Sequence, residues 1–254
     1  VPAQEFKGYT LNGFQVRAVA AIEAGRNVLL AAPTGSGKTL VAEYAIEQAV
    51  RSGRRAIYTS PVKALSNQKY RDFKQDGLDV GLMTGDITLK PEARLCIMTT
   101  EIFRNAVFED PERFRDTDFA IFDEVHFLDD VERGTVWEES LIFAPEHVRF
   151  VCLSATIANL LEFGGWMREV RKHELEVIEH LKRPVPLSHR LFHPDAGVFQ
   201  LGQRSRAQQI HQRAVAREQR HGARAGRRER ERRQWGDKRE RGQGRRLQLG
   251  PRPY

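Results

Sequence analysis

Cysteine is scarce in this chain: 254 residues hold two, Cys96 in RLCIMTT and Cys152 in FVCLSAT, each inside an apolar run. Two isolated cysteines make neither a disulfide framework nor a metal-ligand spacing, so buried free thiols are expected. Long hydrophobic runs are lacking as well. No apolar stretch nears the roughly 18 residues that a bilayer span needs, and the start has no charged-then-apolar secretory pattern; a soluble, cytoplasmic protein with no membrane partner is the expectation. The chain begins with Val rather than Met, so its written start need not be the translated one.

Lysine and aliphatic residues both run out toward the end. Residues 201–254 carry sixteen Arg and one Lys against four Glu and one Asp, a net of +12, which leaves −5 of the total +7 for residues 1–200. With five Leu, Ile, Val or Phe in those 54 residues, the tail cannot bury enough apolar surface to offset its ordering entropy. Order is expected to fail after about Pro194. The chain then divides into a folded domain of residues 1–193 and an Arg-rich, low-complexity tail of residues 194–254. The high isoelectric point belongs to the tail and does not make the body a nucleic-acid binder.

The body holds an apolar run that ends in a glycine-rich loop: Asn27-Val28-Leu29-Leu30-Ala31-Ala32-Pro33-Thr34-Gly35-Ser36-Gly37-Lys38-Thr39. It fits GxxxxGK[ST] except that Ala32 stands at the first glycine, a small residue that still lets the backbone turn. In such a loop Gly35 and Gly37 bring N–H groups close to phosphate oxygens, with Pro33, Thr34 and Ser36 completing the cradle. Lys38 reaches the β- and γ-phosphates of ATP, and the Thr39 hydroxyl ligates Mg²⁺ at the mouth of a helix over Leu40–Ser52. Five further apolar runs follow, at residues 56–61, 79–85, 94–100, 119–124 and 150–156, with helix-like spacing over Val62–Gln75 and Val136–Phe143. Continuous apolar strands with helical crossovers predict an α/β fold, a mainly parallel sheet covered on both faces. Ligands gather at the carboxyl ends of such strands.

About 85 residues beyond Lys38, the run Phe119-Ala120-Ile121-Phe122 ends in Asp123-Glu124-Val125-His126. Alone, an acid pair there could be a solvated strand end. After a GKT loop it suits phosphoryl transfer: Asp123 holds Mg²⁺, and Glu124 orients and deprotonates the attacking water. His126, two residues on in an extended chain, is placed to link this site to the next motif.

APTGSGKT, DEVH and SAT (Ser154-Ala155-Thr156), in that order, resemble the first RecA-like domain of superfamily 2 helicases. DEVHFLDDVERGTVWEE, MTTEIFRN, SPVKALSNQKYRDF and KRPVPLSHRLF are similar to the superkiller-type DExH-box RNA helicases that work with the exosome, and to their bacterial relatives. The resemblance covers roughly residues 9–193. It implies that Tyr9 stacks on adenine and Gln15 pairs with its edge; local chemistry alone allows packing for Tyr9 and a helix start for Gln15. Pro61 and Lys63, then Thr99, Thr100 and Glu101, match two segments that hold the backbone of a single strand, RNA before DNA. Without the family, Lys63 would pass for a surface lysine and the two threonines for a strand end. Ser154 and Thr156 match the segment that couples nucleotide state to the strand, although strand-end capping suits them too. Trp137 is expected in the core and Arg133 in an ion pair.

Helicases of this kind have a second RecA-like domain whose arginine finger completes the ATP site, worth on the order of 10³ to 10⁵ in rate. No such domain follows Leu191-Phe192-His193 in the residues shown, so slow hydrolysis and no unwinding are expected of this chain by itself. Residues 219–228 faintly echo the QxxGRAGR finger, but the spacing is one residue off and Arg-rich strings produce such echoes by chance. The composition break near residue 200 reads either as a shifted frame or truncation, or as a basic arm gripping phosphates. Other functions left open are a DExH-box DNA repair helicase and a nucleotide-dependent binding module without turnover.

Overall fold

Residues 4–126, 134–157, 159–171, 173–193, 197–200, 208–210 and 212 are described by the computed structural model of the chain. A short hairpin, β1 (Glu5–Phe6) and β2 (Tyr9–Thr10), precedes α1 (Gly13–Glu23) and β3 (Asn27–Ala31). Then come α2 (Lys38–Arg51), β4 (Arg55–Ser60), α3 (Lys63–Gln75), β5 (Val80–Met83), β6 (Thr88–Leu89), β7 (Leu95–Thr99) and α4 (Thr100–Glu109). After a 3-10 turn at Pro111–Phe114 follow β8 (Thr117–Phe122), α5 (Gly134–Phe143), β9 (Arg149–Ser154), α6 (Leu160–Arg171) and β10 (Leu175–Glu179).

One eight-stranded sheet has the order β10-β3-β9-β8-β4-β7-β5-β6. Only its edge strand β6 pairs antiparallel; the other neighbours are parallel. The apolar runs are continuous because both faces are covered. Val28 and Leu30 join Phe14, Ile22, Val41 and Ile46 of α1 and α2 on one side. Their neighbours Leu29 and Ala31 join Phe103, Trp137 and Met167 of α4, α5 and α6 on the other. This is the mainly parallel, two-faced α/β architecture expected of the sequence, and Trp137 is in the core; Arg133 lies outside the described residues. Cys96 and Cys152 are buried free thiols.

Two elements escape the apolar pattern. Strand β10 is broken by Glu174, Glu176 and Glu179, yet it pairs with β3 along its whole length, because an edge strand keeps one side for charge: Glu176 pairs with Arg17 and Glu174 with Arg26. Arg171 ends α6 as a buried cation. Its guanidinium donates to the carbonyls of Leu141, Ala144, Pro145, Glu146 and Val148, tying α6 to the α5–β9 connection.

From Leu187 the chain forms a second unit. Within it β11 (Arg190–His193) pairs antiparallel with β12 (Gly197–Gln200), so strand pairing continues past the position near 194 where order is expected to fail. Apart from helical residues 208–210 and 212, residues 201–254 lie outside those described. No helix among the described residues is long and apolar enough to cross a membrane.

Candidate active site

Five strands that stand side by side, β3-β9-β8-β4-β7, carry the glycine-loop, acid-pair, strand-holding and coupling segments singled out above at or just beyond their carboxyl ends; the Tyr9–Gln15 and 182–192 segments do not follow these strands. In that order the ends lead into Ala32–Thr39, Ser154–Thr156, Asp123–His126, Ser60–Lys63 and Thr99–Glu101. A parallel sheet makes this possible: each crossover returns the chain to the far edge, so segments distant in sequence end on one rim.

The loop after β3 closes on itself. Ser36 N–H donates to the Pro33 carbonyl (3.2 Å) and Leu40 N–H to that of Gly37 (3.2 Å). Gly35 and Gly37 have φ of 81° and 88°, a left-handed region that side chains disfavour. A Cβ on Gly37 would lie 2.7 Å from Gln15 Nε2, so that position excludes a side chain twice over. Pro33 is buried, Thr34 and Gly35 are exposed, and Thr39 is half-buried in the first turn of α2. Ser36 Oγ is buried with no hydrogen-bond partner among the described residues. Lys38 Nζ donates to the carbonyls of Ala32 (2.7 Å) and Pro33 (3.3 Å). Burial lowers its pKa, and the charges of Glu124 and Asp123 pull it back up. Lys38 and the two acids lie on one rim of the sheet, just beyond the ends of β3 and β8.

Asp123 is held at three points. Its N–H donates to the Thr59 carbonyl (3.1 Å), its Oδ1 accepts from Glu124 N–H (3.0 Å), and its Oδ2 accepts a short hydrogen bond from the Tyr58 hydroxyl. Burial, then the Asp123 carboxylate, push the Tyr58 phenol well above its usual range, so it stays protonated and donates. Glu124 has φ of 56°, an arrangement that costs a non-glycine residue about 1 kcal/mol and turns the chain out of the strand. Its Oε2 lies 3.3 Å from His126 Nδ1, and the same nitrogen is 3.4 Å from the Ala155 N–H. That nitrogen can donate to Glu124 when protonated or accept from Ala155 when not. His126 thus touches the segment after β9. Ser154 adds a second contact: its carbonyl accepts from Ala32 N–H (3.1 Å), while its Oγ is buried and unpartnered among the described residues. Thr156 is exposed.

Gln15 is 4% exposed and its amide is engaged. Oε1 accepts from Asn12 N–H (2.9 Å), closing a capping box with Asn12 at the start of α1, and Nε2 donates to the Gly37 carbonyl (2.9 Å). The helix-start role holds, and the same side chain clasps the phosphate loop; one N–H and one lone pair remain for a base edge. Tyr9 is 62% exposed on β2. The hairpin that bears it is fastened by Lys7 to Glu43 (2.9 Å) and Asp76 (3.5 Å) and by Phe6 edge-on to Tyr44.

A second concavity lies at the β4 and β7 ends. Pro61, Val62, Lys63, Gly85, Thr99, Glu101 and Ile102 line a cavity of about 420 Å³. Helices α3 and α4 both begin here, behind Val62 and Thr99, and neither start has a side-chain cap. Thr100 Oγ1 is buried without a partner among the described residues. Lys63 is exposed and paired with Asp86 at 2.5 Å. Three contributors were not singled out from the sequence: Tyr58, Asn12 and Asp86. Tyr58 left a signal, since a phenol in a fully buried strand needs a partner for its hydroxyl, and so did Asn12, since Asn followed three residues later by Gln is a capping-box pattern.

A family model described as DEAD/DEAH box helicase matches residues 12–163. Superkiller complex protein 2 of Homo sapiens is 52% identical over 179 residues, 70% of this chain and 14% of that protein. DExH-box ATP-dependent RNA helicase DExH9 of Arabidopsis thaliana is 48% identical over 191 residues (75% and 19%), and Exosome RNA helicase MTR4 of Mus musculus 46% identical over 184 (72% and 18%). The chain thus spans 14–19% of the length of these relatives. Among solved structures, DUF1998 helicase MrfA bound to DNA aligns with a TM-score of 0.56 at 20% identity, over 67% of this chain and 27% of that one. Mycobacterium smegmatis helicase Lhr bound to ssDNA and AMP-PNP gives 0.56 at 24%, over 69% and 26%. At that identity both bear on the fold alone.

Proposed function

Because the chain belongs to the DEAD/DEAH box helicase family, we propose that the β3-β9-β8 rim binds and hydrolyses Mg-ATP and that the β4-β7 rim holds a single strand of RNA. The observation that carries the first half is the strand order β3-β9-β8, which brings the Lys38 loop and the Asp123–Glu124 pair to one rim of the sheet. A bound triphosphate and its Mg²⁺ supply the electrophilic phosphorus and much of the neutralising charge. Among the described residues no cluster of three or more His, Cys, Asp or Glu forms a metal cage, and Mg²⁺ asks for none: it takes one or two protein groups and completes its shell with phosphates and water. Thr39 and Asp123 suit that share. The unpartnered Ser36 Oγ and the amides of the glycine turn receive phosphate oxygens. Lys38 exchanges two loop carbonyls for the β- and γ-oxygens. Glu124 aligns and deprotonates the water, and Tyr9 and Gln15 bind adenine.

The groove reading rests on two uncapped helix starts facing one cavity, a natural seat for phosphate. Lys63 adds charge, and Pro61, Thr99 and Thr100 shape the wall. Glu101 favours RNA, since a carboxylate repels phosphate but accepts a hydrogen bond from a 2′-hydroxyl. Relatives named as RNA helicases point the same way, and the exosome in the name of one of them makes RNA-degrading machinery the partner to test. Ser154, Thr156 and His126 couple the two rims.

Equilibrium titration with a fluorescent ATP analogue tests the nucleotide half: Lys38→Ala is expected to abolish Mg-dependent binding in a chain that still folds, and retained affinity would overturn it. Competition between RNA and DNA strands of the same sequence tests the other half. Preference for DNA would remove the RNA assignment.

A further inference from the structure

We infer that Tyr58 is a positioning residue for the magnesium-binding carboxylate, its buried hydroxyl fixing the orientation of Asp123 so that Oδ1 and Oδ2 are set before the cation arrives. The inference rests on the reading of Asp123 as a magnesium ligand and adds a residue to it.

Three observations converge. Tyr58 and Ile121 are register partners on the adjacent strands β4 and β8, so their side chains rise on the same sheet face, and Asp123, two residues after Ile121 and just past the end of β8, meets the Tyr58 hydroxyl through Oδ2. The ring is fully buried, braced edge-on against Phe73 at 5.7 Å with Lys69 Nζ 5.8 Å from its centroid. A ring so held cannot follow a carboxylate that swings, so the hydroxyl selects one rotamer of Asp123. The other oxygen is held as well, by the Glu124 N–H at 3.0 Å. A carboxylate with one fixed donor on each oxygen is preorganised for a metal that contributes charge and demands strict geometry, as outer partners of metal ligands do generally. The rest of β4 explains why the anchor sits here. Thr59 accepts from Asp123 N–H and donates through Oγ1 to the Ile121 carbonyl, and Ser60 Oγ meets Ser66 Oγ at 2.7 Å at the start of α3. Consecutive residues of one strand therefore hold the metal-binding acid and the entrance to the strand groove.

The test is Mg²⁺ titration of the full chain at fixed fluorescent, non-hydrolysable ATP analogue, for the unsubstituted protein and Tyr58→Phe. The substitution removes one oxygen, leaves the ring in its slot and leaves Asp123 half-open to water, so the fold is retained; thermal melting confirms it. The half-saturating Mg²⁺ concentration is expected to rise on the order of tenfold, while affinity in excess chelator stays within about twofold. In an Asp123→Asn background Tyr58→Phe should move the Mg²⁺ curve no further. Superimposable Mg²⁺ curves for Tyr58→Phe and the unsubstituted chain, or an undiminished shift in the Asp123→Asn background, would each overturn the inference. If the unsubstituted chain binds the analogue neither with nor without Mg²⁺, the ATP reading falls first and takes this one with it.

Discussion

At the end of β3, helix α2 starts behind a left-handed glycine, its lysine half-buried and already hydrogen-bonded to two loop carbonyls. At the ends of β4 and β7, three and four strands further along the same rim, α3 and α4 start behind Val62 and Thr99, and the nearby lysine is exposed and held by an exposed aspartate. Both places present helix N-termini to an anion. They differ in how much of the binding arrangement is built beforehand. The nucleotide rim has Gln15 clasping Gly37, Tyr58 and Glu124 N–H on Asp123, and His126 beside Glu124, although Ser36 Oγ and Ser154 Oγ there have no partner among the described residues. The groove shares helix starts without a side-chain cap and a buried hydroxyl without a partner among the described residues, but its lysine sits in an exposed ion pair. A site that performs chemistry on one molecule gains from fixed geometry, whereas a groove that holds a moving strand needs contacts that form and release.

The comparison breaks most sharply at Glu124. Its replacement by Gln removes the base and keeps the shape, so turnover by a protein that hydrolyses ATP should fall 10²- to 10⁴-fold with affinity for ATP and for RNA nearly unchanged. Phosphate release and strand binding measured on the same preparation check this. Hydrolysis at the unsubstituted rate would remove the water-activating role.

Gln15→Ala tests the clasp. It deletes the bond to Gly37 and half of the capping box at α1, so affinity for the ATP analogue should drop on the order of tenfold and the folding midpoint should move by about 1 kcal/mol. RNA binding without nucleotide should not change. A loss of stability with no loss of nucleotide affinity would leave Gln15 as a helix cap and nothing more.

In the groove the effects are smaller and depend on salt. Lys63→Ala should weaken RNA binding several-fold and lower the slope of log affinity against log salt by about one. Asp86→Asn should act the other way, tightening binding by releasing Lys63, because an exposed ion pair is worth only about 0 to 1 kcal/mol and yields readily to phosphate. If Asp86→Asn weakens binding instead, the pair is a brace and the groove is as preorganised as the nucleotide rim.

The same difference decides what was legible in the sequence. The GKT loop, the acid pair and the buried strands are local patterns, each with a physical requirement that few other sequences meet, and the fold places them together. The parallel sheet was readable because both its faces are apolar; β10 was not, since Glu174, Glu176 and Glu179 interrupt an edge strand whose outer side is free to carry charge. The groove residues were nameable only through a family resemblance, as Lys63 and Thr99 are ordinary residues until two helix starts converge on them. Tyr58, Asn12 and Asp86 act through contacts between segments 3 to 65 residues apart, which no periodicity encodes.

The two cysteines give the mildest probe, one on each side of the comparison. Cys152 lies on β9, between the glycine loop and the acid pair, and Cys96 on β7, which leads into the groove. Burial pushes the Cys96 thiol up from 9.0 to about 11, and Cys152 further still. A thiol with a raised folded-state pKa gives stability that is complete below the unfolded value near 9 and is lost as pH climbs through the folded value. For Cys96 that window is pH 9 to about 11, with about 1 kcal/mol gone by pH 10. Urea melts at pH 8 and 10 should therefore differ more for the unsubstituted chain than for Cys96→Ala. Iodoacetamide at pH 8 should label neither thiol until urea opens the sheet, since the thiolate is the nucleophile. Cys96 should then react before Cys152, the order expected if the groove side opens first; the reverse order would place the weaker half of the sheet at the nucleotide rim.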